Sequence, residues 1–545
     1  MSAGNVSLEL RRQARAAPGR PAARTFGRHA RTLTFEQLER RVDACAHALT
    51  ELGLVRGERA ALFVPPGPDF VALFHALLRV GALPILIDPG MGRRALFECL
   101  ARSNASALIG GARIHLARNL FARAFRGIGL SVSVGRGPAF GAHALERLLA
   151  AQPRDPFPAV VVADETPAAV LFTSGSTGPA KGVVHTHGNL AAELRALREH
   201  FGLEPGETDC ACFPLFALFD NALGLTSVFP ELDPAQPARC DPAAIHHAIE
   251  ESGASFTFGS PAIWRRVVPW MRARSLRFTH LRRATLAGAP VPPSLVLELR
   301  ALLPAGGEVH TPYGATEALP VSDISAAELA TLRERIESGA GSCVGRPLPG
   351  VELALIRVSD GPIPRWDEAL RVAPGEPGEV CVRGALVTPR YLDDERADAL
   401  AKIPDGEGVW HRMGDVGRLD SDGRLWFLGR KAHRLETELG VLYPVPLENA
   451  FDVTQGVARS ALVGVGPRGA ERPVLVVERT QPAEAVRELL PRLRRRSSEL
   501  AAAPETSAGA PIQDFLFHPH FPVDARHNAK IHREELKTWA ERSLR

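Results

Sequence analysis

Short apolar or β-branched runs alternate along this chain with Ala/Leu/Arg-rich stretches of helical period. No other feature constrains its fold as much. Residues 60–64 form one such run and lead into a helical pattern over 70–79. Residues 83–87 form the next and end on Asp88-Pro89-Gly90. Residues 168–172 precede a Gly/Ser/Thr stretch and a further helical pattern from Leu190. Strands that alternate with helices pair in parallel, with the helices covering the sheet faces. The expected fold is therefore α/β with mostly parallel sheets. No internal repeat of fixed period appears. With 545 residues, more than one domain is expected, and there is ample chain for a large core. After Arg430 the texture changes. Short strands at 461–465 and 474–477, with helices around them, read as a separate small α+β unit. Two stretches read as linkers or insertions: 151–167, rich in Pro and acids, and 501–511, an Ala/Pro/Ser/Gly run.

Composition removes several function classes. The balance of 45% hydrophobic and 23% charged residues is that of an ordinary globular chain. A net charge of +4 excludes nucleic-acid binding built on bulk basicity. The basic run Arg492–Arg496 is isolated and reads as a solvated helix face. Seven thinly spread cysteines imply no disulfide framework, and Cys210-Ala-Cys212 has the wrong spacing for a CxxC pair. Reduced, buried thiols in a cytoplasmic protein are expected. The most apolar region, 71–87, is broken by His75, Arg79, Gly81 and Pro84, so no membrane span is expected. Arg11, Arg12 and Arg15 near the N-terminus weakly suggest a transit peptide, but Glu9 and the spacing of Leu8 and Leu10 favour a first helix. Of 65 basic residues only five are lysines: Lys181, Lys402, Lys431, Lys530 and Lys537. The bland reading is genome composition, since Arg replaces Lys wherever a solvated cation suffices. The sharper reading is that a surviving lysine sits where Arg cannot substitute, because a compact ammonium differs from a planar fork at a phosphate or in a reacting site.

The strongest local signal is Leu171-Phe-Thr-Ser-Gly-Ser-Thr-Gly-Pro-Ala-Lys-Gly-Val-Val184, directly after an apolar strand. Gly175 and Gly178 let backbone N–H groups approach an oxyanion, because no Cβ intervenes. Thr173, Ser174, Ser176 and Thr177 add hydroxyls, and Lys181 adds a point charge suited to phosphate. The loop is not GxxxxGK[ST], since Ala180 precedes the lysine and Gly182 follows it. The competing reading is a plain Gly/Ser loop; the strand before it and the lysine after it weigh against that. A second cluster, Thr311-Pro-Tyr-Gly-Ala-Thr-Glu317, puts an aromatic, a glycine turn, a hydroxyl and a carboxylate within five residues. Those groups suit stacking on a base, close backbone approach, a phosphate hydrogen bond and a Mg²⁺ ligand.

The phosphate loop resembles that of the adenylate-forming superfamily, which includes acyl-CoA synthetases, nonribosomal adenylation domains and luciferases. Further motifs follow in the family's order, so the resemblance spans nearly the whole chain. It implies a large N-terminal AMP-binding domain, 1–429, and a small mobile α+β lid, 430–545, with the site between them. It assigns the ATP/AMP contacts to Thr173, Ser174, Gly175, Ser176, Gly178 and Lys181, and to Tyr313, Gly314 and Thr316. It adds the adenine loop Gly288-Ala289-Pro290, a ribose-binding Asp415 in His411-Arg-Met-Gly-Asp415, and Arg430 at the end of the large domain. Glu317 is the implied Mg²⁺ ligand. Lys530, in Arg526-His-Asn-Ala-Lys-Ile-His-Arg533, stands where the family has its catalytic lysine, with Thr177 and Glu317 completing the catalytic set. A mobile cation there offsets the repulsion between substrate carboxylate and α-phosphate.

The departures from the usual thioester-forming pattern are specific. Ala529 precedes the catalytic lysine where Gly is usual, and Ala432 occupies the hinge position. Leu439 takes the place of the glycine that admits a pantetheine arm, with Gly440 one residue later. The gate motif PLFH reads Pro214-Leu-Phe-Ala217. These changes place CoA use in doubt. The stretches 213–227, 258–261, 287–293, 311–317, 411–417 and 521–531 resemble the olefin β-lactone synthetases of bacterial hydrocarbon synthesis. That resemblance implies ATP and Mg²⁺, no CoA, and a 2-alkyl-3-hydroxyalkanoic acid that is adenylated and then closed to a β-lactone. It also implies partners: a β-lactone decarboxylase, a reductase and a thiolase-like enzyme. Long-chain acyl-CoA ligation and a degenerate nucleotide-binding subunit are the competing readings. Phe216, Ala217, Phe219, Gly259 and Ser260 form the candidate acyl pocket, with core packing as the alternative. His527 and Asp220 are candidate bases for the β-hydroxyl, each more often structural. The pair His185/His187 suggests metal, but beside the phosphate loop it reads as structural. Lys431 follows the hinge arginine, while Lys402 and Lys537 lack any motif and read as surface charges.

Overall fold

A computed structural model describes residues 4–27, 30–172, 180–480, 486–502, 511–523 and 531–544. Two sheets are built largely of parallel strands. The first runs, in spatial order, Arg390–Tyr391, Gly182–Thr186, Pro167–Phe172, Leu83–Ile87, Arg59–Phe63, Ala107–Gly110, Leu130–Ser133 and His143–Ala144. Only Gly182–Thr186 runs against its neighbours on both sides. The second runs Glu308–His310, Arg283–Leu286, Phe256–Gly259, Thr208–Ala211, Thr226–Phe229, Pro21–Thr25 and Arg31–Thr34, antiparallel only at the last pair. The runs 60–64, 83–87 and 168–172 thus become neighbouring strands.

The main core lies where helices from both sheets meet. Helix Pro68–Val80 is apolar on every side and buried along almost its whole length. Such a helix is stable only between two covered surfaces. It opens with Pro68 in the first turn and stops at Gly81, whose φ of 79° is left-handed. A Cβ on Gly81 would come within 2.9 Å of Val160 Cγ2, so glycine is required twice over. Its one long cation, Arg79, is fully buried and paired with Glu39 and with Asp43. Arg11 of the first helix, Ser7–Ala16, bonds the same two carboxylates at 2.7 and 2.6 Å. Buried charges are tolerated only when paired in this way.

A third sheet departs from the parallel expectation. Ser342–Cys343, Leu425–Arg430, Gly408–Leu419, Gly378–Arg383 and Glu352–Ile356 are all antiparallel, with Lys402–Asp405 added on Gly408–Leu419. Only two short helices intervene, the single 3₁₀ turn Glu368–Leu370 and Glu395–Ala401. Antiparallel strands need no crossover helix, so the alternation that marks the first two sheets is missing here.

Beyond Arg430 the chain forms a hairpin (Leu435–Thr437 with Gly440–Leu442) and a sheet of Val457–Val465, Arg472–Arg479 and Asp514–Phe517. Helices Pro444–Asp452, Val486–Ala502 and Arg533–Ser543 cover it. Its two hydrophobic clusters contain only residues after 434. The fold class is therefore α/β with a large N-terminal body and a smaller α+β C-terminal region. Residues 151–166 carry no regular element. In Val486–Ala502 Leu489, Leu493, Ser497 and Leu500 face inward and Arg494 and Arg495 are exposed, but Arg492 bonds Gln455 O and Arg496 bonds Ala450 O and Glu337 O, so the basic run is only partly a solvated face. Most of 501–511 lies outside the described residues. All seven cysteines are free and buried. Among the described residues, no helix is long and apolar enough to cross a membrane.

Candidate active site

Two clusters meet where the third sheet abuts the first. In one, Gly408–Leu419 and Leu425–Arg430 pair so that Asp415 lies opposite Arg430. The Asp415 carboxylate is 4% exposed. Its Oδ2 accepts a 2.6 Å hydrogen bond from Tyr313 Oη, and Arg430 Nη1 stands 3.0 Å from Oδ1. Arg430 also donates to Met413 O at 3.1 Å. Burial raises the Asp415 pKa, while Arg430 and the Tyr313 hydrogen bond oppose the rise. Burial, reinforced by Asp415, drives the Tyr313 phenol well above its ordinary value, so Tyr313 remains a donor at neutral pH. Among the described residues, Asp415 Oδ1 receives no aligned hydrogen bond despite the nearby cation. A buried carboxylate with an acceptor oxygen still available is suited to hydroxyl donors such as those of a ribose.

The second cluster surrounds Glu317. Its Oε1 accepts from Tyr391 Oη at 2.7 Å. Its main-chain oxygen accepts from both Thr388 N and Thr388 Oγ1, at 2.9 and 3.1 Å. Thr388 is in turn held by Lys402, whose Nζ donates to Thr388 O at 2.5 Å and to Oγ1 at 3.3 Å. Tyr391 is fixed by its pairing with Val183 in the strand that follows the phosphate loop. Lys181 Nζ lies 5.0 Å from the Tyr391 ring centre and Lys402 Nζ 5.7 Å, a doubly cationic face on one phenol.

Lys402 overturns its expected place on the surface: it is 6% exposed. Burial lowers its pKa to about 8, with Glu317 and Asp398 pulling the other way. Opposite it in register is His411, also buried, held neutral by burial and by the Lys402 charge. Sequence reasoning missed Lys402, Thr388 and Tyr391, and the scarcity of lysine was the only signal for the first. Lys537, the other lysine read as a surface charge, pairs with Glu471 at 2.9 Å.

Gly314 is the middle residue of strand Tyr313–Ala315, whose two-residue turn, Thr316-Glu317, leads back into Ala318–Asp323. A Cβ there would fall 2.6 Å from Ala318 O, so only glycine permits the turn that carries Thr316 and Glu317. Gly288, Ala289 and Pro290 follow strand Arg283–Leu286, with Gly288 left-handed at φ 91°. Ala287 N bonds Gly259 O at 3.3 Å, which places this loop beside Gly259 and Ser260. Ser260 Oγ is buried without a hydrogen-bond partner among the described residues. Phe216 is a core residue stacked on Phe258 at 4.8 Å, and Ala217 is buried beside it. Phe213 and Phe219 are only half-buried at the edge of the same core.

Thr173, Ser174, Gly175, Ser176, Thr177 and Gly178 lie outside the described residues, as do His527, Ala529 and Lys530. Asp220 is fully buried with Asp209, and that burial raises its pKa to about 8. His185 and His187 do not share a ligand: His185 Nδ1 is 3.6 Å from Glu193, and His187 Nδ1 accepts from Val6 N at 3.3 Å. Their structural reading stands. Lys431 donates to Glu379 Oε1 and Ser359 O, both at 2.8 Å, anchoring the hinge to the third sheet. The Glu317 carboxylate, oriented by Tyr391, is an oxygen donor, and that chemistry fits a hard divalent ion such as Mg²⁺.

The AMP-binding enzyme profile matches residues 10–392. The chain belongs to the AMP-binding enzyme family. This AMP-binding enzyme is 43% identical to an olefin beta-lactone synthetase of Stenotrophomonas maltophilia, over 99% of its own length and 98% of the relative's. It is 44% identical to another from Xanthomonas campestris pv. campestris, over 98% and 97%. Among solved structures it resembles the amide bond synthetase McbA from Marinactinospora thermotolerans. The TM-score is 0.80 at 24% identity, covering 98% and 99% of the two chains, and shows the fold. The AMP-binding enzyme is an ATP-dependent, AMP-forming ligase of the adenylate-forming type, a family for which Mg²⁺ is typical.

Proposed function

We propose that this ligase converts a 2-alkyl-3-hydroxyalkanoic acid into a β-lactone, without CoA, in long-chain olefin synthesis. The observation that carries this reading is the end-to-end similarity to two olefin beta-lactone synthetases. The hinge hairpin agrees with it: Leu439 stands 76% exposed at the tip, where thioester-forming relatives would have a glycine.

In this reading Asp415 accepts the ribose hydroxyls, with Tyr313 and Arg430 fixing its orientation. Lys181 and the phosphate loop hold the triphosphate. Glu317, oriented by Tyr391, would hold Mg²⁺, which offsets phosphate charge when bound. The substrate carboxylate oxygen attacks the α-phosphorus; that P–O bond forms as pyrophosphate leaves. Lys530 supplies the cation that offsets the repulsion between the two anions. The substrate's β-hydroxyl oxygen then attacks the acyl carbon, loses its proton, and the bond to AMP breaks. An internal nucleophile needs positioning more than activation, since a well-oriented intramolecular attack gains orders of magnitude in effective concentration. A decarboxylase for the β-lactone, a reductase and a thiolase-like condensing enzyme are the proposed partners.

The deciding experiment supplies ATP, Mg²⁺ and a 2-alkyl-3-hydroxy acid and follows the β-lactone carbonyl by infrared or NMR. Lactone is expected with CoA absent. A product that forms only with CoA, as a thioester, would replace this reading with acyl-CoA ligation.

A further inference from the structure

Away from the nucleotide site, three elements bring two imidazoles and a carboxylate together. His200 is the penultimate residue of helix His187–Phe201, His310 ends strand Glu308–His310, and Asp323 ends strand Ala318–Asp323. His200 Nε2 is 2.8 Å and His310 Nδ1 2.6 Å from the same Asp323 Oδ2. The three ligand atoms lie within 4.8 Å of one another.

We propose that His200, His310 and Asp323 form a zinc site. The donor set is two imidazole nitrogens and one carboxylate oxygen, the ligand types that suit Zn²⁺, Co²⁺ or Ni²⁺ rather than Mg²⁺. The Asp323 side chain is 3% exposed, and its Oδ1 is buried without a hydrogen-bond partner among the described residues, so a second oxygen is available to the ion. The Asp323 main chain is closely confined: a Cβ on Gly345 would fall 1.7 Å from Asp323 O. His200 is 28% exposed, which gives an ion an entry path and leaves room for a water as fourth ligand. Phe201 packs edge-on against both rings, with centres 4.8 and 5.3 Å away, and limits their rotation.

An ion here would tie the C-terminal end of the helix after the phosphate-loop hairpin to the strands flanking Thr311–Glu317. It would act as a structural staple behind the nucleotide site, separate from any Mg²⁺ at Glu317. The test uses the full chain with no polyhistidine tag, stripped with chelator and dialysed into excess Mg²⁺. Zinc is titrated by calorimetry, and cobalt is added in parallel to read the visible bands of a tetrahedral site. One zinc per chain and a tetrahedral cobalt spectrum are expected in the wild type. Both should be lost in His200→Ala, a change at an exposed helix end whose folding is checked by circular dichroism. No saturable zinc uptake, or uptake unchanged in His200→Ala, would overturn the proposal.

Discussion

At the scale of single residues, Lys402 carries a charge in a place with almost no water. A buried ammonium is costly unless its protons are matched, and here Thr388 takes two of its contacts while Glu317 and Asp398 supply opposite charge. The pKa falls from 10.5 to about 8. Below about pH 8 the folded and unfolded chains both hold the proton, and burial of the charge destabilises the fold in full. Between about 8 and 10.5 the folded chain has released the proton and the unfolded chain has not, so this residue's contribution to stability improves as pH rises. Lys402→Met should therefore raise Tm most below pH 8, and its advantage should shrink by pH 10 in thermal scans. The same substitution leaves Thr388 and Glu317 without their cation. ATP–pyrophosphate exchange is expected to fall at least tenfold at pH 7, about 1.4 kcal/mol of lost stabilisation. Exchange at the wild-type rate in Lys402→Met would show that the cation does not position Glu317.

At the scale of elements, the hinge after Arg430 is held by charge. Glu379 in strand Gly378–Arg383 is fully buried and pairs with Arg412 at 2.7 Å and with Lys431 at 2.8 Å. Three residues on, Arg434 meets Asp360 at 2.7 Å, and Arg468 of the C-terminal region meets the same carboxylate at 2.6 Å. The two arginines hold the Asp360 carboxyl well below the usual range. The two anchors differ in kind. Asp360 is half exposed, and screening by solvent leaves its pairs worth little. Glu379 is enclosed, and removing it strands two cations. Glu379→Ala is expected to cost about 3–5 kcal/mol, read as a lower urea midpoint. Asp360→Ala should leave that midpoint nearly unchanged. If both variants shift it equally, burial is not what separates them.

At the scale of the whole molecule, the main cores of the body and the C-terminal region are separate, and the two are joined by polar contacts and by a small apolar one in which Tyr443 packs with Val416 and Leu428. Asn449 donates to Ser342 Oγ at 3.0 Å, and Arg496 to Glu337 O at 2.6 Å. A chain ended after Arg434 keeps Tyr313, Asp415, Arg430 and the Lys431–Glu379 anchor. It should fold, bind AMP within a few-fold of the full chain by calorimetry, and lose pyrophosphate exchange because Lys530 is gone. Exchange that survived the truncation would remove Lys530 from the reaction.

Local sequence was enough for three neighbouring strands of the first sheet because each is a short apolar run, with helix Pro68–Val80 between the first two. Leu83–Ile87 was legible to the residue. The motifs at 173–178, 311–317, 411–415 and 530 were recognisable in the sequence because the chemistry of phosphate and ribose asks for particular residue types at close spacing, although 173–178 and 530 lie outside the described residues; of the others, the structure brings Tyr313 to Asp415. The third sheet was not legible, since its strands are joined without the helices that mark a parallel crossover. Lys402, Thr388 and Tyr391 were not, because their importance comes from partners at Glu317 and Gly182–Thr186, far away in sequence. The convergence of His200, His310 and Asp323 has the same origin. Sequence by itself determined which groups the chain carries and which local elements hold them. Only the tertiary structure decided which charges left water and which partners met them, since burial and electrostatic pairing depend on every element that closes around a site.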